Sequence, residues 1–333
     1  MFVLELGGED DDFAAREAAS ACSAVDQLAR GLATARGITD RVYGLAYTHA
    51  ASRLIGTTTG GVDAARALLE AAALNRTGSV AVRARDVRSA TGVSTQRAER
   101  VLGDVLVDRG FAVDLEDPDH ELRALFAEND EQLVALGWLA AESVRDFGDR
   151  RPTDRPFFQP GSMAPLLARA VVNIAGARSG RTVLDPMCGT GGLLAEAGLV
   201  GADVVGIDAQ RKMVRGAREN LRALLADGVD GLPTPGAFTV ARGDATRLPL
   251  CAGSVDCLVV DAPYGRQSKI AGQSLDTLVG NALCEARRVA SRGVIVGDQA
   301  WDERARAAGW RVESRFVRPV HGTLDRHVLV LGD

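Results

Sequence analysis

The chain has 333 residues, 46% of them hydrophobic and 25% charged, with a formal net charge of −5. That is the composition of a soluble globular protein long enough for two domains, and it excludes a chain-wide basic field, so any nucleic-acid surface has to be a local patch. Five scattered cysteines without a Cys-x-x-Cys pair and four dispersed histidines argue against a disulfide framework or a metal site, and no apolar run approaches the ~18 residues of a membrane span, so the expectation is a cytoplasmic protein with neither metal nor membrane.

Met1 to Leu6 is expected to form a strand, and Phe13 to Arg30 an alanine-rich amphipathic helix behind an acidic start. Val42 to Thr48 reads as a second strand, and Gly60-Gly61 precedes a helix from Val62 to Leu74. Val80 to Ala84 alternates like a strand. A helix is expected from Thr95 to Asp108, with Ser94 as its N-cap and Gly110 as its stop. Phe111 to Leu115 and Glu121 to Phe126 read as strands, and Gln132 to Glu142 as either a strand or a short helix.

Lysine is nearly absent (Lys212 and Lys269), so arginine supplies almost all positive charge. Arginine suits bidentate phosphate contacts, although a GC-rich genome gives the same bias. From Arg76 to Arg109 there are seven arginines against four acids. By charge alone this is either a solvated helix face with internal ion pairs or a local basic patch. Val82-Arg83-Ala84-Arg85, Gly92-Val93-Ser94 and Arg109-Gly110-Phe111-Ala112-Val113-Asp114-Leu115, followed by Pro118-Asp119, resemble a THUMP domain over roughly residues 50–140. The resemblance implies that arginines such as Arg83, Arg85, Arg88 and Arg97 grip tRNA phosphates, contacts that place an RNA without reading its sequence.

Residues 146–158 are dense in charge and proline and read as a linker between an N-terminal α/β region, 1–145, and a second domain, 159–333. Beyond it, Pro165 to Ala175 is an apolar helix. From Arg181 the pattern is strand, turn, helix, repeated. Strands are expected at 182–184, 203–207, 238–241, 255–260, 294–296, 311–317 and 327–331, with helices at 193–200, 212–225 and 277–289. Such alternation implies a doubly wound, Rossmann-like, mainly parallel sheet.

Asp185, Asp208, Asp244 and Asp261 each fall at the carboxyl end of a successive apolar strand, the edge where open α/β sheets bind ligands. A dinucleotide loop wants a third glycine leading into its helix, but Leu194 stands there, and Asp185 precedes Gly189-Thr190-Gly191. An acid before the loop suits an ammonium and a sulfonium better than a pyrophosphate. Asp208, 23 residues after Asp185, is placed to reach a ribose diol. The set fits S-adenosylmethionine (SAM) rather than NAD. The turn Asp261-Ala262-Pro263-Tyr264-Gly265 supplies a carboxylate, a backbone kink and a ring, which together can hold a flat heterocycle bearing an amino group.

Asp-x-x-x-Gly-x-Gly, the acid at Asp208, Gly243-Asp244-Ala245 and Asp-Ala-Pro-Tyr-Gly resemble class I SAM-dependent methyltransferases. Arg150-Arg151-Pro152, Arg155-Pro156-Phe157-Phe158-Gln159-Pro160-Gly161-Ser162, Leu167-Ala168-Arg169-Ala170, Asp185 to Gly192 and Asp261 to Arg266 are similar to the archaeal tRNA (guanine(10)-N2)-dimethyltransferases. The resemblance implies a seven-stranded methyltransferase domain behind a smaller THUMP-containing one, acting on tRNA as a monomer or weak dimer. It implies a cofactor set of Gln159, Ser162, Asp185, Cys188, Gly189, Thr190, Gly191, Asp208, Asp244, Ala245 and Asp261, in which Asp185, Gly189, Asp208 and Asp244 hold the amino-acid tail, backbone, ribose and adenine. Asp261, Ala262, Pro263 and Tyr264 are then catalytic, with Phe157 or Phe158 holding the base and Arg266 on the RNA. The family pattern is usually Asp-Pro-Pro-Tyr; Ala262 keeps the carbonyl but gives up rigidity. Other targets with the same turn are another tRNA or rRNA guanine, or adenine N6. A catalytically silent RNA-binding subunit is the reading from a different class.

Overall fold

Short apolar runs and amphipathic helices sort the chain into two compact units, Met1–Ser143 and Val144–Asp333, in a computed structural model that describes residues 1–263, 274–321 and 324–333. Among the described residues no helix is long and apolar enough to cross a membrane, and no group of three or more His, Cys, Asp or Glu side chains could hold a metal ion.

The first unit is an eight-stranded mixed sheet in the order β3-β4-β1-β6-β10-β9-β7-β8. Its members are β1 (Phe2–Leu6), β3 (Asp26–Ala29), β4 (Leu32–Ala35), β6 (Thr48–Thr59), β7 (Ser79–Asp86), β8 (Ala112–Val113), β9 (His120–Ala127) and β10 (Leu133–Glu142). Helices α2 (Val62–Ala71) and α3 (Thr95–Asp108) bury Leu69, Ala98, Leu102 and Leu106 in one core with Val82, Leu122, Val134 and Trp138. Ser94 caps α3 by accepting the Arg97 N–H at 3.3 Å, and Gly110 follows with φ +91°. The segment 132–142, open between two forms in the sequence, is strand β10.

Two expectations fail here. The helix expected over Phe13–Arg30 stops early, as α1 (Asp11–Ala18). The chain then forms a short ladder of β2 (Cys22–Ser23) with β5 (Gly37–Ile38) and a β3–β4 hairpin turning at Gly31, φ +77°. Alanine favours helix, but the pairing of β2 with β5 and of β3 with β4 overrides that weak preference. The strand expected at Val42–Thr48 is instead a 3-10 turn, Asp40–Gly44, with pairing delayed to Thr48. The buried Glu17 carboxylate accepts the amide N–H groups of Ala46 and Tyr47, both at 2.6 Å, which satisfies them outside the sheet.

The second unit is a seven-stranded sheet, β13-β12-β11-β14-β15-β17-β16. Strands β11 (Thr182–Asp185), β12 (Asp203–Asp208), β13 (Phe238–Arg242), β14 (Cys257–Asp261) and β15 (Gly293–Gly297) are parallel; β17 (Leu324–Gly332) and β16 (Arg311–His321) close it antiparallel. Helices α4 (Pro165–Ala175), α5 (Gly192–Leu199), α6 (Arg211–Leu224) and α7 (Leu275–Val289) arise where the sequence placed them; α8 (Asp302–Ala307) does not appear in its pattern. The strand order reverses between β11 and β14, which opens a crevice at their carboxyl ends. Residues 146–158 belong to this unit as two 3-10 turns, with Arg150 and Arg155 each only 6% exposed.

Candidate active site

A cavity of about 840 Å³ lies at that crevice. The loop after β11 supplies Asp185, Met187, Cys188, Gly189 and Thr190; the turn after β12 supplies Asp208 and Gln210. Asp244 and Ala245 follow β13, while Asp261, Ala262 and Pro263 follow β14. Gln159 to Met163 close another wall. The four strand-end aspartates therefore converge on one space, and every cofactor residue named from the sequence lines it except Gly191. That glycine is the N-cap of α5 at φ +81°, and a Cβ on it would meet the Cβ of Ala217 in α6 at 3.3 Å. It serves the loop's shape rather than the wall.

The glycine loop is held from below by Asp208. One carboxylate oxygen accepts the Gly189 N–H at 3.0 Å and the other the Gln210 N–H at 2.8 Å. Each oxygen keeps a second lone pair for a ligand hydroxyl. Asp185 accepts the Met187 N–H at 3.0 Å. Burial, with Asp261 and Asp208 nearby, raises the Asp185 carboxyl well above the usual carboxylate range. Burial also raises Asp208, against its two backbone hydrogen bonds. Among the described residues the wall carries these acids and no lysine or arginine. A wall of this kind is complementary to a cation, and an ammonium plus a sulfonium restores the charged form of the acids. The residues present fit SAM.

At the β14 turn, Ala262 is fully buried and its N–H donates to the Val296 carbonyl at 2.8 Å. Proline has no N–H to give, so alanine tethers the turn to β15 where a ring would have stiffened it. Tyr264 and Arg266 lie outside the described residues.

Phe157 and Phe158 do not line the cavity. The Phe157 ring packs on α6, where a Cβ on Gly216 would lie 1.9 Å from it, and Phe158 is 41% exposed. The four arginines assigned to RNA each meet an acid. Arg85 pairs with Glu5 at 2.8 Å, Arg83 with Glu121 at 3.7 Å, Arg97 with Asp63 at 3.4 Å, and Arg88 with Asp11.

Sequence reasoning missed the apolar wall of Met163, Met187, Met213 and Leu278, and it missed Asn220. Asn220, fully buried in α6, donates to the carbonyls of Phe157 and Thr190 and accepts the Phe157 N–H, each at 2.9 Å. It joins the glycine loop to the segment that leads into Gln159–Met163. Its surroundings, Arg218, Glu219 and Arg222, give no signal of burial.

Comparison with known proteins agrees with this chemistry. Residues 152–326 match a family described as the RMKL-like, methyltransferase domain. The tRNA (guanine(10)-N2)-dimethyltransferase of Methanothermobacter thermautotrophicus is 35% identical over 299 residues, which cover 86% of this chain and 83% of that protein. The enzyme of the same description from Pyrococcus abyssi is 30% identical, over 76% of this chain and 74% of its own. Among solved structures, TrmN from Thermus thermophilus aligns over 99% of each chain at 22% identity, with a TM-score of 0.49.

Proposed function

The chain belongs to the tRNA (guanine(10)-N2)-dimethyltransferase family and is a SAM-dependent tRNA (guanine-N2)-methyltransferase, and on that premise we propose that it methylates the exocyclic amine of guanosine 10, once and then again. The observation that carries the assignment of the site is the meeting of Asp185, Asp208 and Asp261 in a cavity whose described wall holds no basic side chain.

Asp185 takes the ammonium, Asp208 the ribose hydroxyls, and the Asp244–Ala245 turn the adenine edge. When bound, SAM supplies the electrophilic methyl group. In the first transfer Asp261 and the Ala262 carbonyl accept the two N–H bonds of the guanine amine, which turns its lone pair out of conjugation and toward the methyl; in the second, Asp261 accepts the one N–H that remains. Such positioning is the main source of rate in a direct displacement. The amine needs no strong base beforehand, because its proton becomes acidic only as the N–C bond forms and the S–C bond breaks, and it then passes to the Asp261 carboxylate. A stem guanosine has to leave its stack to enter, at a cost of about a few kcal/mol, which favours the ends of stems. In the same proposal, the first unit includes a THUMP-like RNA module over about residues 50–140.

Inosine lacks the amine, so a transcript carrying inosine at position 10 is the sharpest test. Labelled methyl incorporation from SAM is expected to vanish with it. Equal incorporation into both transcripts places the target on another nucleotide, including an adenine N6 that the same turn could hold.

A further inference from the structure

Arg83, Arg85, Arg88 and Arg97 each face a carboxylate, and a second basic surface, with fewer acids, lies in the second unit. Helix α6 carries Arg211, Arg215, Arg218 and Arg222, spaced four, three and four residues apart, all exposed and on one face. Gly216, Ala217, Asn220 and Leu221 are buried on the opposite face. Arg242, at the end of the edge strand β13, joins the row, and the five arginines line a groove of about 310 Å³.

Acid is nearly absent from this groove. Its one carboxylate, Glu219, lies 3.8 Å from Arg215 with both side chains largely exposed, a contact that contributes little. Among the described residues no carboxylate pairs with Arg211, Arg222 or Arg242. Arg218 donates through Nε to the Val240 carbonyl at 3.0 Å, and Arg242 through Nε to that of Ala209 at 3.0 Å. These two bonds hold a pair of guanidinium groups against the edge of the sheet.

We propose that this ridge binds the sugar–phosphate backbone of the tRNA. The proposal rests on tRNA being the substrate and adds the surface that holds it. A chain of net charge −5 that gathers five arginines against one glutamate bears local self-repulsion, which a polyanion relieves. The row from Arg211 to Arg222 is about 16 Å long at helical rise, enough to face several consecutive phosphates. Guanidinium forks match phosphate oxygens in pairs. Helix α6 also reaches the cofactor cavity: Met213 lines it, as does Gln210, the residue before Arg211. One helix thus carries backbone contacts on one side and cofactor contacts on another, so an RNA seated on the ridge is fixed relative to the site of transfer.

The test is the triple substitution Arg211→Ala, Arg215→Ala and Arg222→Ala in the full chain, which leaves the two arginines at the sheet edge. Binding of a tRNA transcript is followed by fluorescence anisotropy across salt concentrations, beside SAM titration and methylation kinetics. The tRNA Kd is expected to rise at least tenfold, and the slope of log K against log salt to become shallower by about two. KM for tRNA should rise with kcat within about twofold, and SAM affinity should stay unchanged. Lysine at the same three positions should restore most of the slope. A triple variant that keeps the Kd and slope of an active wild type overturns the ridge alone. A wild type that neither binds nor methylates tRNA overturns the proposed function and the ridge with it. Unchanged tRNA binding with altered self-association would assign the groove to an acidic protein segment and contradict the proposal.

Discussion

Asp185 is 2% exposed and, among the described residues, no basic side chain lines its cavity, so its proton is held unusually tightly. Burial is the main cause, and Asp261 and Asp208 add to it. A carboxyl raised in the folded state favours folding at low pH, and that contribution is lost as pH rises through its elevated value. A cationic ligand acts in the opposite direction, because it binds the ionised form. SAM affinity should therefore fall as pH drops through the raised Asp185 value, and binding near that pH should release a proton. Calorimetric titration in two buffers of different ionisation enthalpy reads the proton directly. In Asp185→Asn the pH dependence should flatten and neutral-pH affinity fall by about 10- to 100-fold, roughly 1.4–2.7 kcal/mol. Affinity independent of pH in the wild type would remove Asp185 from the ammonium site.

Helix α6 and the segment before α4 depend on each other. Asn220 makes three hydrogen bonds to backbone groups of Phe157 and Thr190, and Gly216 leaves the space the Phe157 ring fills. Asn220→Ala should cost about 2–4 kcal/mol by leaving buried backbone groups unpaired, and it should weaken SAM binding because Gln159–Met163 lose their anchor. Denaturant unfolding and a SAM titration separate the two effects; full stability with normal SAM affinity would make this contact incidental. The methyltransferase strands were legible because each is a short apolar run ending in Asp or followed closely by one, a pattern with few alternatives. Asn220 was not, since a buried polar residue on an arginine-rich helix looks like one more exposed position. The β3–β4 hairpin was hidden by alanines whose helical preference yields to the pairing of β3 with β4. The ion pairs of the first-unit arginines were not legible because their acids come from afar in sequence, as Glu5 does for Arg85. Charge counting within a window cannot see such partners.

In the second unit, one buried charge network joins residues 146–155 to helices α4 and α5. Glu196 of α5, fully buried, meets Arg150 at 3.0 Å and Arg169 of α4 at 2.8 Å, and Arg150 also pairs with Asp146. Arg155 donates through Nε to the Arg150 carbonyl at 3.2 Å, and a Cβ on Gly192 would come within 2.8 Å of its Nη1. Replacing Glu196 by Gln leaves these guanidinium groups without their central anion. The expected loss is about 3–5 kcal/mol, read as a lower midpoint in urea unfolding. An unchanged midpoint would mean that water already screens the network.

The central claim is that Asp261 presents the amine of guanosine 10 for methyl transfer. Nucleoside mass spectrometry with position mapping, on a tRNA transcript treated with SAM and either wild-type protein or Asp261→Asn, tests it most directly. The wild type should give N2-methyl- and N2,N2-dimethylguanosine at position 10, and Asp261→Asn should be slower by at least about 100-fold while still binding SAM. Methyl groups on a different base, or guanine methylated at equal rate by the variant, would contradict it.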